Sequence, residues 1–201
     1  MTRLTMGNIQ EEIDRYTRSI KNIGTSIEGM EGLDLLKALK RNKINTGLYK
    51  NCVSLFEAAN RIMADMVILY GVEWLLKTKT FPFDAYTVEL GNEGGANSFD
   101  IKASGNGKSL VGEAFNVVDS LFPGKKSSML GKLRKQKCAN YRIIMVNDDA
   151  VKMDTRHTLG RKSITYLLTW RIEQLKLCLR DSFSGRLTKA YAMGNTIEAL
   201  T

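Results

Sequence analysis

Asn106-Gly107 separates two short runs with strand character, "SFDIKA" and "SLVGEAFNVV". Asn-Gly is the strongest short-range signal for a two-residue type I′ hairpin, whose central residues both take positive φ. A hairpin closed by that turn has one register. Gly105 faces Lys108, and each step away from the turn pairs the next residue on either strand. Counted outward, Asp100 lands opposite Glu113, with Cβ atoms about 5 Å apart on one face of the sheet. A three-residue loop would slip the register by one and send the two acids to opposite faces.

Two carboxylates so placed repel each other and weaken the strand pair unless a cation lies between them. An all-oxygen donor set suits a hard divalent ion, Mg²⁺ above all. Lys102 lies two residues beyond Asp100, so it shares that face and stands diagonally from Glu113. Two acids and a lysine around one metal suit phosphodiester hydrolysis. The metal polarises a phosphoryl oxygen and acidifies bound water, while the ammonium orients that water or stabilises developing charge. The plainer alternative is a salt bridge of Lys102 with Glu113 or Asp100 on a solvent-facing sheet. Val111, Phe115 and Val117 on the same face are apolar, which sets the charges in partly dry surroundings and favours the functional reading. Gly107-Lys108-Ser109 also looks like the end of a phosphate loop. Lys102, however, stands where GxxxxGK[ST] requires glycine, and a strand-like run follows where a helix should begin.

The remaining chain supplies helices on either side of this hairpin. Ile9, Ile13, Tyr16, Ile20 and Ile23 recur at helical spacing, and "GLDLLKALKRN" makes a short second helix. A long helix is expected from about 51 to 77, with an apolar stripe of Phe56, Ala59, Met63, Met66, Tyr70 and Trp74, ending before Pro82. "AYTVELG" reads as a strand ahead of the hairpin, "SSMLGKLRKQ" as a basic helix after Pro123-Gly124, and "YRIIMVN" as a buried strand. Residues 163–183 read as a closing amphipathic helix. No repeat or linker interrupts the chain, so residues 1–201 form one domain, with a helical part at 1–80 and a sheet core at 85–147. The fold class is α/β (α+β), a mixed β-sheet flanked by helices.

Composition narrows the chemistry. The one histidine, His157, is too few for Cys/His zinc sites or two-histidine nuclease chemistry, and three scattered cysteines make no disulfide framework. Lys and Arg number 30 against 21 Asp and Glu, a net charge of +9. The excess is segregated. No acid occurs between Asp119 and Asp148, where Lys125, Lys126, Lys132, Arg134, Lys135, Lys137 and Arg142 fall, and a second group holds Arg156, His157, Arg161 and Lys162. That pattern points to nucleic-acid phosphates more than to a merely solvated face. No apolar run reaches membrane-spanning length and the N-terminal stretch lacks secretory character, so a cytoplasmic protein with no membrane partner is expected.

A strand, a strand with Asp100, a strand with Glu113, a basic helix and an apolar strand, all after a long helix, resemble the αβββαβ core of PD-(D/E)XK nucleases. Type II restriction endonucleases are the members that fit this length, and the resemblance runs from about Ala85 to Asn147 with the helix before it. It implies a restriction-endonuclease-like core and Mg²⁺-dependent, sequence-specific cleavage of double-stranded DNA. Asp100 and Glu113 would then be metal ligands and Lys102 the catalytic lysine, with Glu57 the helix acid that some members add. The family pattern places a lysine two residues after the glutamate, where this chain has Phe115, so either Lys102, or Lys125 or Lys126 behind it, takes that role, or this member lacks activity. A second parse takes Asp84 with Asp100-x-Lys102, and Glu57 has a simpler partner in Arg61 one turn on. Symmetric duplex sites imply a homodimer. Lys125, Lys126, Lys132, Arg134 and Lys135 would contact phosphates, and Arg156, Arg161 and Lys162 would reach base edges. A non-catalytic nucleic-acid-binding protein, or a junction or repair nuclease of the same fold, is the alternative.

Overall fold

In the computed structural model, residues 1–91, 98–147 and 150 are described, with the backbone of 165–170 and 197–200. The chain opens with β1 (Thr2–Thr5), α1 (Ile9–Ile27) and α2 (Gly32–Lys40). A small ribbon of β2 (Lys43–Ile44) and β3 (Val53–Ser54) leads into the long helix α3 (Leu55–Thr78). Then come β4 (Ala85–Val88), β5 (Ile101–Gly105), β6 (Lys108–Phe115), α4 (Phe122–Arg134), β7 (Tyr141–Asn147), β8 (Thr165–Trp170) and β9 (Ile197–Leu200). Among the described residues the main sheet has seven strands in the order β1-β4-β5-β6-β7-β8-β9. It is mixed: β6, β7 and β8 run parallel, and the flanking pairs are antiparallel. This is an α+β arrangement with helices on both faces of one sheet.

The ends of α3 follow from local chemistry. Ser54 accepts a hydrogen bond from the Glu57 N–H (3.2 Å), satisfying one of the free donors of the first turn. Lys79 takes a left-handed conformation at the other end, and Pro82 lies just beyond. The face it buries differs from the expected stripe. Leu55, Ala58, Ile62, Met66 and Leu69 face the core, whereas Phe56 is 53% exposed and Ala59 is also exposed. From Asp65 to Val72 the helix is buried all round, so apolar residues there carry no periodicity from which a face can be read.

Two apolar layers sandwich the sheet. On one side α1 and α3 contribute Ile13, Tyr16, Met66 and Leu69, packed on Tyr86, Ile101, Leu110, Ile143 and Met145. On the other, α4 contributes Phe122, Leu130 and Leu133, packed with Phe99, Phe115, Ile144 and Val146. Strand alternation divides β5, β6 and β7 between the two layers. Helix α4 starts at Phe122 rather than after Pro123-Gly124, because proline in a first turn gives up an N–H that has no helical partner anyway. Arg142 is buried and donates to the carbonyls of Leu133 (3.1 Å) and Gln136, so it closes the C-terminal end of α4 instead of facing a ligand.

The expected closing helix at 163–183 is overturned over its first part. Thr165–Trp170 is β8, paired in parallel with β7 from Arg142↔Thr165 to Asn147↔Trp170. A short apolar run has the same look in a helix and in a buried parallel strand, and "TYLLTW" is rich in residues that favour the strand. Residues 171–183 lie outside the described part. Among the described residues no helix is long and apolar enough to cross a membrane.

Candidate active site

Asn106 (φ 53°) and Gly107 (φ 70°) both take positive φ, as the two-residue turn demands. Gly105 pairs with Lys108, Lys102 with Val111 and Ile101 with Gly112. One step further out, Asp100 lies opposite Glu113 on the face that α4 covers. The neighbouring pair adds a third acid. Val88 pairs with Ile101, so Glu89 lies across from Asp100, and its N–H donates to the Asp100 carbonyl (2.9 Å). Glu89, just past β4, and Asp100, just ahead of β5, therefore fall in line with Glu113 of β6. Glu89 was not legible in sequence because residues 89–100 give no turn type, and without one the register of β4 on β5 is unfixed.

Lys132, projecting from α4, supplies the positive charge. Its ammonium makes an ion pair with Glu113 Oε1 (2.7 Å), donates to the Ser98 carbonyl (2.5 Å) and lies 5.1 Å from the centre of the Phe99 ring. Glu113 is only 3% exposed; its Oε1 has the ammonium as a close charge but no aligned hydrogen bond. Glu89 Oε2 is likewise buried without a hydrogen bond. Asp100 Oδ2 accepts from the Ala114 N–H (2.8 Å). Burial pushes the Glu113 carboxyl up to about 6, the nearby Asp100 charge adds to the rise, and Lys132 opposes it. Burial also raises Asp100; the Ala114 N–H and Lys132 work against that, and Glu89 reinforces it.

Comparison with known protein families, curated proteins and solved structures finds no match. The site must be read from its own chemistry. Among the described residues no three Asp, Glu, Cys or His side chains stand in ion-holding geometry. Asp100 and Glu113 still suit a small hard cation that keeps most of its water, because Mg²⁺ is commonly held by one or two carboxylates. Glu113 Oε1 already has the Lys132 ammonium 2.7 Å away, so a cation there would share this carboxylate with that charge.

The other expected residues divide sharply. Lys102 shares the face of Asp100 and is half-buried, but Lys132 holds the contact with Glu113. Phe115 belongs to the apolar layer beneath α4, its ring 6.3 Å from Phe122, in surroundings that would strip water from a lysine. Glu57 does not join the site. It is exposed and paired with Arg61 (2.6 Å) on α3, which packs against the opposite face of the sheet. Asp84 is fully exposed and bound to Lys79 (2.5 Å); the continued β4–β5 register puts it opposite Gly105, at the turn end of the hairpin, away from Asp100. On α4 and at its C-cap, Lys125, Arg134 and Lys135 are exposed, while Lys126 is half-buried against the Phe122 ring (5.2 Å). Arg156, Arg161 and Lys162 lie outside the described residues.

Proposed function

We propose that the chain is a Mg²⁺-dependent endonuclease that hydrolyses phosphodiester bonds of double-stranded DNA, a type II restriction enzyme acting as a homodimer. The observation that carries this reading is the opposition of Asp100 and Glu113 across the hairpin, both sheltered from water, with an ammonium against one of them. The succession α3, β4, β5, β6, α4, β7 supports a restriction-endonuclease-like core, since it is the αβββαβ order.

Asp100 and Glu113 hold the cation in this reading. When bound, Mg²⁺ supplies a charge for a phosphoryl oxygen and lowers the pKa of a coordinated water. The Ala114 N–H fixes the Asp100 carboxylate, and burial of both acids makes it costly to leave them charged without a partner. Lys132, rather than Lys102, is paired with Glu113, and in this reading its ammonium would hold that carboxylate and stabilise negative charge developing on a phosphoryl oxygen. Lys125 is exposed on the same face of α4, seven residues away, and its charge reaches both carboxylates, so it suits a phosphate at the mouth of the site.

The test is cleavage of plasmid DNA with and without Mg²⁺, run beside Asp100→Asn and Glu113→Gln. Cutting by the native chain and loss of cutting with retained DNA binding in both variants is expected. Full activity in either variant rejects the assignment. The second reading, a nucleic-acid-binding protein without catalysis, draws on the ion pair itself: Lys132 already neutralises part of the acid row without any metal. Retarded but uncut DNA under every metal condition favours it.

A further inference from the structure

Asp65 is the deepest carboxylate among the described residues, 2% exposed in the middle of α3, and the proposed reaction does not use it directly. Its oxygens accept from the Tyr16 hydroxyl (2.8 Å), the Tyr49 hydroxyl (2.8 Å) and the Gly91 N–H (2.9 and 3.0 Å). Those donors come from α1, from the segment between β2 and β3, and from just past the end of β4. Gly91 adopts φ +80°, a left-handed conformation that glycine enters without penalty and that turns its N–H towards the helix.

The grip on Gly91 has a route to the acid row. Regular pairing between β4 and β5 ends at Val88↔Ile101, and between β5 and β6 at Ile101↔Gly112. Asp100 thus lies one step outside both ladders. Two bonds hold it: the Glu89 N–H on its carbonyl and the Ala114 N–H on its carboxylate. Glu89 is two residues from Gly91, so the first of these bonds depends on where Asp65 pins the end of β4. The charge of Asp100 also reaches Asp65 and helps to raise its carboxyl.

We propose that Asp65 is a positioning residue: through Gly91 and Glu89 it sets the place of Asp100, and so the affinity of the Asp100–Glu113 pair for a divalent cation. This rests on the nuclease reading only in taking that pair as the metal site. Outer residues that orient ligands in this way typically alter metal affinity by about 10- to 100-fold when changed. Tyr16 and Tyr49 tie Asp65 to the helical layer through Oδ2, while the Gly91 N–H also reaches Oδ1, which takes neither hydroxyl.

The experiment is Mn²⁺ binding to the free protein, followed by the electron paramagnetic resonance of unbound Mn²⁺, with thermal unfolding measured on the same samples. Asp65→Asn is expected to weaken Mn²⁺ binding by about tenfold or more. Tyr49→Phe, which removes one bond to the same carboxylate, should lower the thermal midpoint yet bind Mn²⁺ as the native chain does. Should Asp65→Asn not fold, Asp65→Glu keeps the charge but moves the grip by one methylene, and is expected to weaken binding likewise. Native affinity in a folded Asp65 variant, or equal weakening in Tyr49→Phe, overturns the proposal while leaving the metal site standing. Absence of Mn²⁺ binding by the native chain itself removes the metal site, and the proposal with it.

Discussion

Glu113 and Lys132 show what a single contact decides. Lysine in the place of Phe115 would have been buried among aromatic rings, whereas Lys132 reaches the same carboxylate from α4 with its ammonium on a carbonyl and a ring face. Lys132→Ala is expected to cut Mg²⁺-dependent cleavage by on the order of 100-fold, as loss of one charge-stabilising donor does, while Lys102→Ala stays within a few-fold of native. Rates of nicking by the two variants check this, and the reverse order returns the role to Lys102. A pH effect belongs to Asp65. Burial raises its carboxyl to about 6, with the Gly91 N–H and both tyrosine hydroxyls opposing. A carboxyl raised on folding contributes stability that is whole below its unfolded pKa, about 4, and is lost as pH climbs through its folded value. The native chain should therefore lose on the order of 2 kcal/mol relative to Asp65→Asn between pH 4 and pH 7. Urea unfolding at the two pH values measures it, and a constant difference contradicts the shift.

Elements explain which parts of this architecture were legible. The β5–β6 register followed from two residues, because a turn that needs positive φ twice admits one pairing. Glu89 has no such signal, since no turn chemistry links β4 to β5, and β8 reads as helix because "TYLLTW" has no period long enough to choose. Glu57 stands apart for a different reason: a helix acid can serve only the sheet face its helix covers, and α3 covers the other one. Close packing between elements gives a prediction of its own. A Cβ on Gly112 would lie 2.5 Å from Ile143 Cγ1 and 3.3 Å from Ile101 Cβ, both on stiff branched side chains. At Gly71 of α3 the clash is with the sulfur and methyl of Met145, which can move aside. Gly112→Ala is expected to cost about 1–3 kcal/mol and Gly71→Ala less. Denaturant midpoints of the two variants settle the ranking, and equal losses count against it.

Charge acts on the scale of the whole molecule. The exposed cations of α4 stand on the same side of the sheet as the acid row, so a bound duplex backbone would lie over the carboxylates. Each phosphate contact adds roughly one unit to the salt dependence of binding. Replacing Lys125, Arg134 and Lys135 together should flatten the plot of log affinity against log salt by about two to three units, measured on a duplex by fluorescence anisotropy. An unchanged slope puts the DNA elsewhere. Lys132 gives this arrangement a mechanical side. One ammonium belongs both to α4 and to the pair it makes with a carboxylate of the sheet. A shift of α4 against the strands would therefore change the charge beside Glu113, so that events along the helix surface are felt at the acid.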